Sequence, residues 1–298
     1  MSTKRTFTIG DEWIYFKFYC GPQTSDKLLL DLLPAIEALK AGNYIDKWFF
    51  IRYNDPHNHL RVRFHLTESM QFHFVINEVN QILNYYSAND LVWKIQLDSY
   101  NREMERYGTL VELSEELFCH DSQSTIEMLS LIDEIEDSEE IRWLFCMKSI
   151  DQILDDFSYT FENKIALIRA LKDAFYTEFG VEKPFKTLLA NKFRNKRKII
   201  DLFFDNIAAN QDQPNDYHEL YGILQKRSAS HKIINDKKAS LEQNEHTIQR
   251  LMPSYTHMLC NRIFRTKQRA HEMVIYDLLH QYYSAKKGKL KSQENSSY

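Results

Sequence analysis

The chain has 298 residues, 43% hydrophobic and 13% aromatic, with 38 basic residues against 42 acidic ones for a net charge of -4. That is enough apolar material for one large domain or two small ones and excludes a disordered chain, while the balanced charge gives no bulk reason to expect nucleic acid or an anionic membrane as partner. Cys20, Cys119, Cys146 and Cys260 form no C-x-x-C pair, which excludes a zinc knuckle or thioredoxin-type motif, and the usual glycine-rich phosphate cradles, H-E-x-x-H and G-x-S-x-G are all missing.

The N-terminus carries no apolar h-region and no apolar run of about 20 residues follows it, so a cytoplasmic location is expected. Trp13 to Cys20 is aromatic and β-branched and stops at Gly21-Pro22, a strand and a turn. From Ser25 to Leu39 the apolar residues recur at helical spacing, with Gly42 as a stop. A strand from Lys47 to Tyr53, an Asn-Asp-Pro turn and a strand from Leu60 to Leu66 come next. A helix from about Glu68 to Tyr86 and an alternating strand from Val92 to Tyr100 complete a β-α-β-β-α-β order. That order predicts an α+β, ferredoxin-like antiparallel sheet with helices on one face.

Beyond Gly108 the pattern is helical, with capping boxes expected at Ser124-x-x-Glu127 and Ser240-x-x-Gln243 and a long final helix past Pro253. Only seven glycines and six prolines, below the usual ~7% and ~5%, agree with long helices. The expected organisation is one integrated unit: a ferredoxin-like part over residues 1–108, a helical part over 109–285 covering the sheet's open face, and a disordered polar tail over 286–298. Asn206 to Asp216 reads as a polar loop. The basic run Lys192 to Lys198 reads as a solvated helix face.

Along the strand from Leu60, side chains alternate, so Leu60, Val62, Phe64 and Leu66 share one face while Arg61, Arg63 and His65 share the other. Two guanidinium groups roughly 7 Å apart make either a rigid receptor for a carboxylate or phosphate or a solvated strand face. Glu103 and Arg106 fall one helical turn apart, as an oriented arginine or a surface ion pair. His257 and Asn261 share a helix face in the same way, so Asn261 could fix the imidazole or meet the same ligand. His57 and His59 flank the Asp55 turn, but without a convincing third donor they predict no metal.

Three segments in order, Trp48-Phe49-Phe50-Ile51-Arg52-Tyr53-x-Asp55-Pro56-x-x-His59-Leu60-Arg61-Val62-Arg63-Phe64, Glu103-x-x-Arg106-Tyr107-Gly108, and His257-Met258-x-x-Asn261-Arg262, resemble the C-terminal (SpaB-type) elimination domain of lanthipeptide dehydratases, a family that includes thiopeptide-type bacteriocin biosynthesis proteins. The resemblance runs from about Trp13 to Tyr283 and departs where Thr109 follows Gly108 in place of a second glycine. It implies a lyase that removes glutamate from glutamylated Ser or Thr of a precursor peptide, leaving dehydroalanine or dehydrobutyrine. The chain is too short for the large glutamylation domain, so a stand-alone elimination component is expected, with a separate glutamylation protein that uses glutamyl-tRNA and a lanthionine cyclase as partners. A homodimer is compatible with this reading, and no cofactor or direct nucleic-acid contact is implied.

By the same resemblance Arg61, Arg63, Glu103, Arg106 and His257 are the catalytic set, and Arg52, His59, Asn261 and Arg262 bind substrate. The chemistry needs a proton carrier, a stabilised enolate-like oxygen and a receptor for the departing glutamate. The rival readings are a thiopeptide-type [4+2] pyridine-forming cyclase and a non-catalytic peptide-binding subunit.

Overall fold

The computed structural model describes residues 3–133, 138–205, 215–240 and 245–296. Strand β1 (Thr6–Phe7) precedes β2 (Trp13–Cys20), α1 (Pro22–Ala41), β3 (Ile45–Asn54), β4 (Asn58–Leu66), α2 (Phe72–Ala88), β5 (Val92–Asp98) and β6 (Tyr100–Asn101). The expected order from β2 to β5 is therefore present, with two short outer strands that the pattern did not signal, since two residues are too few for a period. The main sheet is antiparallel in the order β3-β4-β2-β5, and β1 pairs with β6 beside it. Val62, Phe64, Phe16 and Phe18 form its inner face with Leu28, Leu29 and Leu32 of α1 and Val75 and Val79 of α2 among the buried residues.

The chain parts into two compact units, and their bounds differ from a division at Gly108. One holds residues up to Asp133 together with Ile233–Thr266; the other holds Glu134–Lys232 and Lys267–Tyr298. The first unit keeps α3 (Met104–Tyr107), α4 (Val111–Ile132) and α9 (Glu245–Ile263) because α4 and α9 dress the edge of β3. There Ser122 Oγ accepts from the Phe50 amide at 3.1 Å. Asn261 accepts from the Arg52 amide at 2.9 Å and donates to the Arg52 carbonyl at 2.8 Å. An edge strand presents unpaired backbone groups, and side chains at these points satisfy them.

The second unit packs α5 (Ser138–Asp156), α6 (Phe161–Glu178), α7 (Lys183–Asp205), the residues of α8 (Asn215–Ser240) up to Lys232, and α10 (Gln268–Ser296). Its buried carboxylate, Asp151, accepts from Lys164 at 2.7 Å, Lys148 at 3.0 Å and the Tyr283 hydroxyl at 2.8 Å. Burial alone would raise its pKa, but the two lysines hold it below the usual carboxylate value. In the basic run, Lys196 pairs with Glu140 and Arg197 reaches Asp201 at 3.6 Å.

Three expectations are corrected. Ser124 lies inside α4 and donates to the Asp121 carbonyl at 3.1 Å, so it does not cap a helix; α4 has already begun at Val111. Pro253 sits within α9, not before it, and the C-terminal helical stretch is two helices, because α9 stops at Ile263 and α10 starts at Gln268. The polar tail is helical as far as Ser296, where α10 ends. The cap expected at Ser240 and Gln243 and most of the loop expected over Asn206 to Asp216 lie outside the described residues. Among the described residues no helix is long and apolar enough to cross a membrane.

Candidate functional site

The alternation of β4 separates its two faces as expected: Leu60, Val62 and Phe64 are fully buried in the core. On the opposite face antiparallel register sets Arg63 between Tyr15 of β2 and Phe49 of β3, and Arg61 between Lys17 and Ile51. Segments that follow β5 close over the Arg63 end. Arg63, Phe49, Tyr100, Glu103, Tyr107, Glu115 and Met258 line one cavity there, wholly within the first unit.

Arg63 is 7% exposed, and its guanidinium carbon lies 4.3 Å from the Tyr15 ring centroid, 4.7 Å from Tyr100 and 5.1 Å from Phe49. Its buried Nε has no hydrogen-bond partner, and no carboxylate pairs with the group among the described residues. Cation–π contacts offset part of the desolvation of a buried charge, about 0.5–2 kcal/mol each. They do not replace an anion.

The acid beside it is already matched. Glu115 is 2% exposed and takes a two-pronged grip from Arg102, Nε at 2.8 Å and Nη2 at 2.7 Å, plus the Tyr100 hydroxyl at 2.7 Å. Burial, and Glu115 next to it, push the Tyr100 hydroxyl well above its usual pKa, so it stays protonated and donates. Tyr107, stacked 6.2 Å from Tyr255, bonds through its hydroxyl to Ser254 of α9 at 2.9 Å. The cavity thus sets Arg63, which no carboxylate pairs with among the described residues, beside the mutually neutralised Arg102 and Glu115, with the carboxylate of Glu103 also in its lining.

The other candidates fall into two groups. Glu103 lines the cavity and faces Arg106 at 3.4 Å, but both are more than half exposed, so the pair is a surface one worth a few tenths of a kcal/mol. Arg61 lies outside the cavity lining, its guanidinium carbon 3.4 Å over the Tyr53 ring and its Nε donating to His59 Nε2 at 3.1 Å. His257 is half-buried on α9 beside Met258, and it is Met258 that reaches the cavity wall.

Arg52, Asn261 and Arg262 are engaged by the protein itself. Arg52 pairs with Asp26 at 2.5 Å and donates to Ser25 Oγ and the Arg262 carbonyl. Arg262, fully buried, donates to Ser122 Oγ at 3.1 Å and the Met258 carbonyl at 3.0 Å and lies 4.7 Å from the Phe118 ring. Burial lowers its pKa to about 10, which leaves it charged at neutral pH. These three therefore tie α1, α4 and α9 to the sheet edge. Asn261→Ala is expected to orphan two backbone groups of Arg52 and cost about 2–6 kcal/mol in chemical denaturation, at about 1–3 kcal/mol per unsatisfied buried group; a loss under about half a kcal/mol would refute that role.

The pattern reading missed Arg102, Glu115, Tyr100 and the Tyr15 and Phe49 walls. The walls could have been found by laying β2 and β3 beside β4 in antiparallel register. Arg102 and Glu115 carry no such signal, because their meeting depends on the turn through α3. Among the described residues no group of three or more His, Cys, Asp or Glu side chains gathers as a metal site.

A family model described as the lantibiotic biosynthesis dehydratase C-terminus matches residues 13–283. Subtilin biosynthesis protein SpaB of Bacillus subtilis is 26% identical over 287 residues, covering 94% of this chain and 26% of SpaB. The chain thus spans about a quarter of that relative's length. Among solved structures, the tRNA dependent lantibiotic dehydratase MibB from a Microbispora species superposes with a TM-score of 0.71 at 20% identity, over 97% of this chain and 29% of that one. The pyridine synthase TbtD from thiomuracin biosynthesis superposes with a TM-score of 0.63 at 13% identity, over 92% and 98%. At these identities the two structures share a fold with this chain.

Proposed function

The chain belongs to the lantibiotic biosynthesis dehydratase C-terminal family, and on that premise we propose that it eliminates glutamate from glutamylated Ser or Thr of a precursor peptide. The observation that carries the reading is Arg63, a buried cation in an aromatic cage that no carboxylate of the described protein neutralises. A glutamyl group brings the missing anion. Arginine's planar fork suits a two-point hold on that carboxylate, and Arg61, on the same strand face outside the cavity, faces the peptide.

In the proposed reaction a base takes the proton from Cα of the modified residue and negative charge builds on the neighbouring carbonyl oxygen. The Cβ–O bond then breaks, its electron pair leaving with glutamate as a carboxylate, and a Cα=Cβ double bond remains. His257 carries the proton, since an imidazole has one nitrogen that accepts and one that donates. Glu103, in the cavity lining, orients Arg106 at 3.4 Å. The glutamylated peptide itself would be supplied by a glutamyl-transfer activity on another domain or protein.

Incubating the purified protein with a synthetic glutamyl-Ser peptide tests this. Release of free glutamate with a matching dehydroalanine mass supports it; an unchanged peptide, with the protein folded, rejects it. The near full-length fold match to TbtD favours one second reading, pyridine formation by [4+2] cyclisation. That reading predicts turnover of a peptide carrying two dehydroalanines and none of the glutamyl peptide.

A further inference from the structure

The surroundings of Arg61 are more ordered than an outer strand cation requires. His59 is 4% exposed and stacked on Tyr19 with ring centroids 4.6 Å apart. Its Nδ1 lies 2.8 Å from the His57 carbonyl, which can only accept, so Nδ1 carries the hydrogen. In a neutral imidazole Nε2 is then a bare lone pair, and it is this atom that receives Arg61 Nε–H at 3.1 Å. With its Nε committed and its plane laid on Tyr53, Arg61 has only its two terminal nitrogens left, and no carboxylate pairs with them among the described residues. Much of the rotamer freedom of the arginine is spent before any ligand arrives.

We propose that His59 is a positioning residue: its neutral ring aims the Arg61 fork at the substrate, and its protonation releases the fork, so that elimination is switched off by acid through this pair. The inference rests on the elimination reading for its kinetic consequence only. Adding a proton to Nε2 sets a donor against the Arg61 donor and places two cations side by side. The groups facing the ring are His57, Asp55 and Arg61 from the turn and β4, Lys17 and Tyr19 from β2, and Tyr53 from β3, with Lys94 of β5 on the Tyr19 ring at 5.0 Å. Burial first, then Arg61 and Lys17, lower the pKa of His59 below 6.5 against the opposing His57 carbonyl and Asp55, which keeps the ring neutral at pH 7. The switch therefore acts on the acid side of 6.5.

The test uses the whole chain. Nitrogen-15 NMR of the His59 ring at neutral pH is expected to show the Nδ1–H tautomer, with an Arg61 Nε–H that exchanges slowly and is exposed to exchange in His59→Leu. For glutamate release, His59→Leu is expected to lose about tenfold in kcat/KM at neutral pH, one lost charge-assisted bond. His59→Gln, an acceptor that does not titrate, is expected to restore most of it and to remove part of the acid limb of the pH profile. An Nε2–H tautomer, a His59→Leu variant with unaltered kcat/KM, or a His59→Gln profile superposable on the parent's overturns the proposal. Absence of glutamate release by the parent chain would count against the elimination reading instead, and the NMR result would still decide how Arg61 is held.

Discussion

Arg63→Leu is expected to lower kcat/KM for glutamate release by on the order of 10²–10³-fold while leaving the protein as stable as before or more so. The activity loss follows from removing the positive partner of a desolvated carboxylate, a truncation that costs about 2–5 kcal/mol, with each 1.4 kcal/mol worth tenfold in rate. The stability expectation has the opposite sign for a physical reason. Arg63 is a buried charge that no carboxylate pairs with among the described residues, held among Tyr15, Phe49 and Tyr100, and a leucine fits an aromatic cage without a charge to desolvate. Function and stability therefore pull apart at this residue, as they do where binding groups are left unsatisfied in the resting protein. Arg63→Lys keeps the charge but neither the planar fork nor its stacking, and an intermediate loss is expected. Glutamate release read beside a denaturant midpoint checks both halves. A variant that loses stability along with activity would make Arg63 a structural cation.

The fold was readable where side-chain periods are long and unopposed. The alternation through Leu60 to Leu66 assigned both faces of β4 correctly, and the helical spacing in α1 and the strand pattern in β3 and β5 sufficed for the element order. The stop at Gly42 was readable, and the capping box at Ser124 was not. Ser124-x-x-Glu127 has the residues of a capping box, but buried Leu117 and Phe118 before it and Met128 and Leu129 after it continue the apolar face of α4, and tertiary packing outweighs a local hydrogen-bond preference. The same limit applies to the site. Arg61 and Arg63 are equivalent by alternation, yet Tyr100, Glu103 and Glu115 close over only one end of the sheet, so one arginine is buried in a cavity and the other lies on the open face against Tyr53. Asn261, which helical spacing set near His257, turns to the backbone groups at the edge of β3, and Arg262, a substrate contact by the family resemblance, turns inward to Ser122 of α4 and the Met258 carbonyl.

Arg102→Leu is expected to be the most destabilising of these changes, by about 3–5 kcal/mol, because it strands Glu115 as an unpaired carboxylate with 2% exposure. The effect on the site is as large as that on the fold. Glu115 and Arg63 line the same cavity, so a Glu115 freed from Arg102 becomes the anion that Arg63 lacks, and an incoming carboxylate must compete with a tethered one. Glutamate release by the fraction that stays folded is accordingly expected to fall, with the loss appearing in KM more than in kcat. Removing the acid as well separates the two effects. Arg102→Leu combined with Glu115→Leu replaces a buried ion pair by apolar contacts, a change that is often neutral, and Tyr100→Phe removes the hydroxyl that would otherwise lose its acceptor. The triple variant is expected to regain most of the lost stability and to recover glutamate binding together with it. Recovery of stability without recovery of KM would show that Arg102 and Glu115 shape the anion site directly; recovery of both would show that their task is to keep Glu115 away from Arg63.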